Sequence, residues 1–150
     1  MAFKDLLNLD LVDLNVVGDD KYQVIENLLQ LAVDAGAVSH KEQALEDLFE
    51  REQYLSTGFE NGLAVPHAKT EAVSDIILVF GLCRDGVEFD SLDGRPANCI
   101  FLLLSPMETS GPHIQTLALL ARNFQNEDMS DRLKKVKDVA ELIEIFNDFK

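Results

Sequence analysis

The chain has 150 residues, 47% of them hydrophobic and 27% charged, which suits a globular protein with its own core rather than a disordered chain. Its 27 acidic residues outweigh 13 basic ones, and a formal net charge of −14 argues against nucleic-acid binding, which needs basic surface. No stretch approaches the roughly 18 consecutive apolar residues of a membrane span, and Met1 to Asp10 lacks the basic flank and apolar core of a signal peptide, so a cytoplasmic protein without membrane insertion is expected.

In chain order, Leu11 to Asn15 alternates as a short strand. Asp19 or Asp20 then caps a helix from about Lys21 to Ala35, with Gly36 just past its end and Val24, Ile25, Leu28, Leu29 and Ala32 at helical spacing. Ser39-x-x-Glu42 reads as a capping box opening a second helix to about Gln53, with Leu45, Leu48 and Phe49 inward. Residues 57–65 contain Gly58 and Gly62 and predict short strands with tight turns.

Ile76 to Cys83 is a strongly β run, Arg84-Asp85-Gly86 a turn signal, and Val87 to Phe89 a short return strand. Asp93-Gly94 marks another turn before a buried strand from Asn98 to Leu104. A loop with Ser110-Gly111-Pro112 leads into a helix from about His113 to Phe124, and helices over 131–135 and 139–149 complete the chain. Strands separated by helices predict an α/β fold with a largely parallel or mixed sheet covered on both faces. With no repeat or linker, one domain spanning 1–150 is expected. Cys83 and Cys99 fall in predicted strands, where core packing of reduced thiols is the simplest role.

The chemistry-bearing feature is Gly62-Leu63-Ala64-Val65-Pro66-His67-Ala68-Lys69, an apolar run that stops against an imidazole. Pro66 has no N–H for a ladder, so strand pairing is expected to end there and to deliver His67 at the sheet's rim. A histidine so held can be a nucleophile, a general base, a metal ligand, or simply the first residue of a loop. His40 reads as a solvated residue in the first turn of its helix. His113 stands at a helix start, where N–H groups favour anions. Arg51, near the end of the second helix, is either a surface partner of the helix dipole or an anion clamp.

Nucleotide-binding glycine loops, a calcium loop, a serine nucleophile elbow and a His-x-x-x-His pair are all absent from the sequence. In a chain this acidic, an incoming phosphate needs local offset. Arg51, Lys69, the histidines and the backbone around Gly58 and Gly62 are what the sequence offers for it.

Taken together, Arg51-Glu52-x-x-x-Ser56-Thr57-Gly58-x-x-x-Gly62 and the following Leu63 to Lys69 resemble the active-site segment of the fructose/mannitol class of enzyme IIA. This is the EIIA type-2 domain of the bacterial phosphoenolpyruvate-dependent sugar phosphotransferase system. Gly86 to Pro96 is similar to that family's hairpin, and His113 to Ala121 to its second-histidine helix. The resemblance implies a three-layer α/β sandwich, a mixed, mostly parallel sheet flanked by helices on both faces. It implies that His67 accepts a phosphoryl group from the phosphohistidine of HPr and passes it to a IIB component, acting with a membrane IIC component in fructose-like sugar uptake. By the same resemblance His113 assists, Arg51 stabilises the phosphorylated state, and Thr57 and Asn61 contribute to binding; no metal or cofactor is implied. The nitrogen-regulatory branch of the family gives an alternative role, in which the phosphorylation state controls partner proteins. One departure is Glu60, where the family usually carries glycine.

Overall fold

The computed structural model describes residues 3–6 and 8–150. Along the chain these form α1 (Phe3–Leu6), a 3-10 turn (Leu9–Leu11), β1 (Val12–Asp13), α2 (Lys21–Asp34), α3 (Lys41–Tyr54), β2 (Leu63–Ala64) and β3 (His67–Lys69). There follow β4 (Ile77–Val87), β5 (Ala97–Ser105), α4 (Gly111–Asn123), α5 (Asp128–Lys134) and α6 (Val139–Phe146). The five-stranded sheet has the order β1-β4-β5-β2, and β3 also pairs with β5, further along it than β2. The β1–β4, β2–β5 and β3–β5 pairings are parallel, and the central β4–β5 pairing is antiparallel. A mixed, mostly parallel sheet between helical layers is therefore the architecture, as the resemblance implies.

The two layers follow from strand periodicity applied to runs that are apolar throughout. Ile77, Val79 and Cys83 of β4, with Ile100, Leu102 and Leu104 of β5, enter the core beneath α2 and α3. Leu78, Phe80 and Leu82, with Cys99, Phe101 and Leu103, enter the opposite core, closed by α4, α5 and α6. Each fully buried Leu or Phe there contributes about 1.5–3 kcal/mol. The two thiols consequently face opposite sides of the sheet, and burial pushes the Cys99 thiol up to about 12.

Asp20 accepts from the Gln23 N–H and caps α2 as expected. At its other end Gly36 and Ala37 donate to Val33 and Ala32, a Schellman closure that uses the positive φ of Gly36. The second capping expectation fails. Ser39 sends both its N–H and its hydroxyl to the Ala72 carbonyl, so the unassisted exposed His40 occupies the cap position.

Other boundaries also move, and the helix expected over 131–135 begins earlier, at Asp128. Strand β1 stops at Asp13 because the Asp13 carboxylate accepts from the Asn15 N–H and turns the chain. The turn expected at Arg84-Asp85-Gly86 is instead a bulge within one continuous strand: pairing passes from Leu82–Cys99 to Val87–Ala97, and Asn98 Nδ2 donates to the Cys83 carbonyl inside it. Helix α6 ends at Phe146, since Phe149 turns back to stack against Phe3 and Phe146 in the core.

Candidate functional site

Pro66 does interrupt the edge of the sheet, but pairing resumes at once. β2 aligns with Cys99 and Ile100, and β3 continues alongside Leu103 to Ser105, so His67 lies within a strand rather than beyond one. The Pro66 carbonyl still accepts from the Leu103 N–H, which carries the ladder across the missing proline donor. The Val65 carbonyl, in the gap between the two strands, meets His67 Nδ1 at 2.7 Å. A carbonyl can only accept, so Nδ1 carries the proton in this bond and the lone pair of the neutral ring resides on Nε2.

His113 enters from the opposite layer. It is the third residue of α4, 6% exposed, and its Nδ1 lies 2.7 Å from the hydroxyl of Ser105 at the end of β5. The two imidazole centroids are 5.5 Å apart, tilted by 58°. Arg51 comes from the last turn of α3 and donates from Nη1 to the Leu55 carbonyl at 2.6 Å. These three residues, with Lys69, line a cleft of about 500 Å³ whose wall also includes Asp47, Glu50 and Tyr54 of α3. The site thus forms where β3, the end of β5, and the facing ends of α3 and α4 meet.

Burial lowers the His67 pKa, with the Arg51 charge acting in the same direction against the Val65 bond and Glu52. His113 is lowered to about 4 by burial first and then by His67, Lys69 and Arg51. Both rings are therefore neutral near pH 7. The cleft offers a nucleophilic nitrogen, a second neutral imidazole and two cations, a set suited to receiving an anionic group on nitrogen. Among the described residues, no group of three His, Cys, Asp or Glu side chains is placed to hold a metal ion, and no helix is long and apolar enough to cross a membrane.

Thr57 and Asn61 lie outside the cleft lining. Thr57 is buried, with its hydroxyl donated to Glu52 Oε1 at 2.5 Å and its N–H to Glu52 Oε2 at 3.0 Å. Asn61 donates its side chain to the Phe124 carbonyl at 2.8 Å and its N–H to Asp93, closing the turn before β2. Both residues shape the loop that leads to His67. Asn61 and Gly62, not Glu60, take the left-handed backbone of that turn, so Glu60 meets no φ penalty and its side chain is exposed.

The sequence reading missed Glu52. Its side chain is 2% exposed, and besides Thr57 it accepts from Lys21 Nζ at 3.1 Å, while that same ammonium reaches Asp90. Burial works against the Lys21 charge, but bonds to Glu52 and Asp90 outweigh it and raise its pKa. Glu52 follows Leu48 by four residues, on the buried stripe of α3, and that spacing was the available signal.

Comparison with known proteins gives the same direction. The PTS system fructose-specific EIIA component of Haloferax volcanii is 39% identical over 143 residues, covering 91% of this chain and 93% of that protein. The crystal structure of nitrogen regulatory protein IIA-Ntr from Neisseria meningitidis superposes with a TM-score of 0.86 at 30% identity, covering 95% of this chain and 97% of that one. A complex of enzyme IIA mannitol with phosphorylated enzyme IIB mannitol from Escherichia coli shares the fold, with a TM-score of 0.80 at 22% identity over 94% of this chain and 96% of that one. The model of one family matches residues 5–149, nearly the whole chain and the histidine cleft with it, and the chain belongs to the phosphoenolpyruvate-dependent sugar phosphotransferase system EIIA 2 family.

Proposed function

We propose that the chain, acting as one domain over residues 1–150, is a phosphocarrier in which His67 accepts a phosphoryl group from the phosphohistidine of HPr and hands it to a IIB component for uptake of a fructose-like sugar. The observation that carries this reading is the His67 Nδ1 bond to the Val65 carbonyl, which leaves the Nε2 lone pair available in the cleft shared with His113 and Arg51. In the transfer, the Nε2 electron pair forms a bond to phosphorus. The donor's own N–P bond breaks, and its electron pair stays on the donor nitrogen. The neutral ring needs no base to prepare it.

When the Ser105 hydroxyl donates to His113 Nδ1, the second imidazole carries its proton on Nε2 and offers it to a phosphoryl oxygen. Arg51 presents a planar fork suited to the same group. Each charge-assisted bond contributes about 1.5–3 kcal/mol, enough for two or three of them to hold the adduct without trapping it. The fructose-specific relative supports the sugar class, and the mannitol IIA–IIB complex supports a IIB acceptor.

The test mixes the chain with enzyme I, HPr and labelled phosphoenolpyruvate. Label is expected on the wild type and absent from His67→Ala; label retained by that variant refutes the role of His67. The likeness to the Neisseria protein favours a second reading, control of partner proteins by phosphorylation state. Chase of label from the chain onto a fructose-type IIB component supports carriage to sugar. State-dependent capture of another protein without such a chase supports regulation.

A further inference from the structure

Arg51 and Lys69 are the cations lining the histidine cleft among the described residues, and Asp47 and Glu50 are its carboxylates. With both imidazoles neutral, these four charges cancel. A phosphoryl group on His67 adds about two negative charges, as on other phosphorylated side chains. Arg51 keeps Nη1 on the Leu55 carbonyl at the end of its own helix. Lys69 is placed differently. It stands two residues after His67 on β3, so the two side chains leave the same face, with Cα atoms about 6.6 Å apart. Ala68 between them turns into the core.

The ammonium of Lys69 donates to Ser110 Oγ at 2.8 Å, an exposed bond across from β3 to the residue that precedes α4. Ser110 makes no side-chain cap bond to that helix, so its hydroxyl serves as a resting partner for Lys69. For an ammonium donor, a neutral hydroxyl is a weaker acceptor than a phosphoryl oxygen, which carries the opposite charge. The four-carbon stem of lysine lets the ammonium move between two acceptors within one cleft.

Resting on the assignment of His67 as acceptor, we infer that Lys69 is a second phosphoryl ligand, held on Ser110 in the unmodified protein and drawn onto the phosphoryl oxygens once His67 is phosphorylated. Lys69 moves no proton in this step. As the N–P bond forms on His67, its N–H groups exchange the Ser110 oxygen for a phosphoryl oxygen. The exchange favours transfer from the donor and slows return, and it releases the hydroxyl at the start of the helix that carries His113.

The test is the phosphoryl-transfer equilibrium between HPr and the full chain for wild type, Lys69→Gln and Ser110→Ala, with the Lys69 Nζ signal followed by nitrogen NMR. Losing one charge-assisted bond lowers the equilibrium constant about tenfold in Lys69→Gln. Ser110→Ala causes no such fall, and the Nζ signal shifts on phosphorylation. A Lys69→Gln equilibrium within about twofold of wild type, an unmoved Nζ signal, or an equal loss in Ser110→Ala overturns the inference. Label persisting in His67→Ala overturns the acceptor reading as well, whereas label lost there beside an unaffected Lys69→Gln overturns only the role of Lys69.

Discussion

Replacing Glu52 with glutamine keeps the side chain's shape and removes its charge at a point that is 2% exposed. The carboxylate receives Thr57 Oγ1 at 2.5 Å on one oxygen, and the Thr57 N–H at 3.0 Å and Lys21 Nζ at 3.1 Å on the other. A glutamine retains all three contacts: its carbonyl accepts from Lys21 and the Thr57 N–H, and its amide donates to a Thr57 hydroxyl that now accepts. What is lost is charge assistance, about 1 kcal/mol at each bond. Lys21 keeps Asp90 at 3.1 Å as a partial replacement.

Glu52→Gln is therefore expected to cost about 2–3 kcal/mol, a fall of about 4–12 °C in melting temperature for a chain of this length. Glu52→Ala also strands the buried donors, and about 3–5 kcal/mol is expected. The chain has no tryptophan, so far-UV circular dichroism in urea is the suitable assay, and the denaturant slope should stay constant across the series. A glutamine variant as stable as wild type, or as weak as the alanine variant, refutes the account in which charge adds to a preserved set of bonds.

The two histidines give a pH signature. Both are lowered in the fold, so at mildly acid pH the unfolded chain binds more protons, and the stability they contribute is complete above the ordinary value of 6.5 and declines toward 4. Urea midpoints measured across that window should fall, and His113→Gln should flatten the decline; an identical decline in that variant refutes the assignment. Ser105→Ala removes the partner of His113 Nδ1, and should cost about 1 kcal/mol of stability but about tenfold in phosphoryl uptake from HPr. Equal small losses in both assays would show that the bond does not orient the ring. In Gly58→Ala the new methyl runs into the Phe89 carbonyl and Ser91, and about 1–3 kcal/mol of destabilisation is expected in urea titration.

Much of this arrangement was legible in the sequence because the patterns were local. The stripe of Val24, Ile25, Leu28, Leu29 and Ala32, the aspartate before it and the glycine after it fix α2 without reference to any neighbour. The apolar runs of β4 and β5 likewise announce strands buried on both faces. What was not legible depends on partners distant in the chain. Ser39 has the form of a cap, yet the Ala72 carbonyl, 33 residues away, takes its hydroxyl. Arg84-Asp85-Gly86 has the composition of a turn, but Asn98 across the ladder holds it as a bulge.

The site divides in the same way. His67, His113 and Arg51 stand in motifs that can be read directly, and the structure brings them to one cleft. Thr57 belongs to the same motif, but its hydroxyl is occupied by Glu52, a carboxylate whose helical spacing from Leu48 hints at burial but whose partners Lys21 and Thr57 only the packing reveals. Ser105 was hidden at the end of a hydrophobic strand, six residues before the helix it serves.

The placement of Cys83 and Cys99 on opposite faces of the sheet also bears on how the molecule comes apart. Each thiol is buried in a different core, one roofed by α2 and α3, the other by α4 to α6. Alkylating pulses during unfolding would therefore read the two helical layers separately, with no label to engineer. Matching exposure rates for both thiols would mean that the layers melt as one cooperative unit, while earlier reaction of one would identify the layer that opens first.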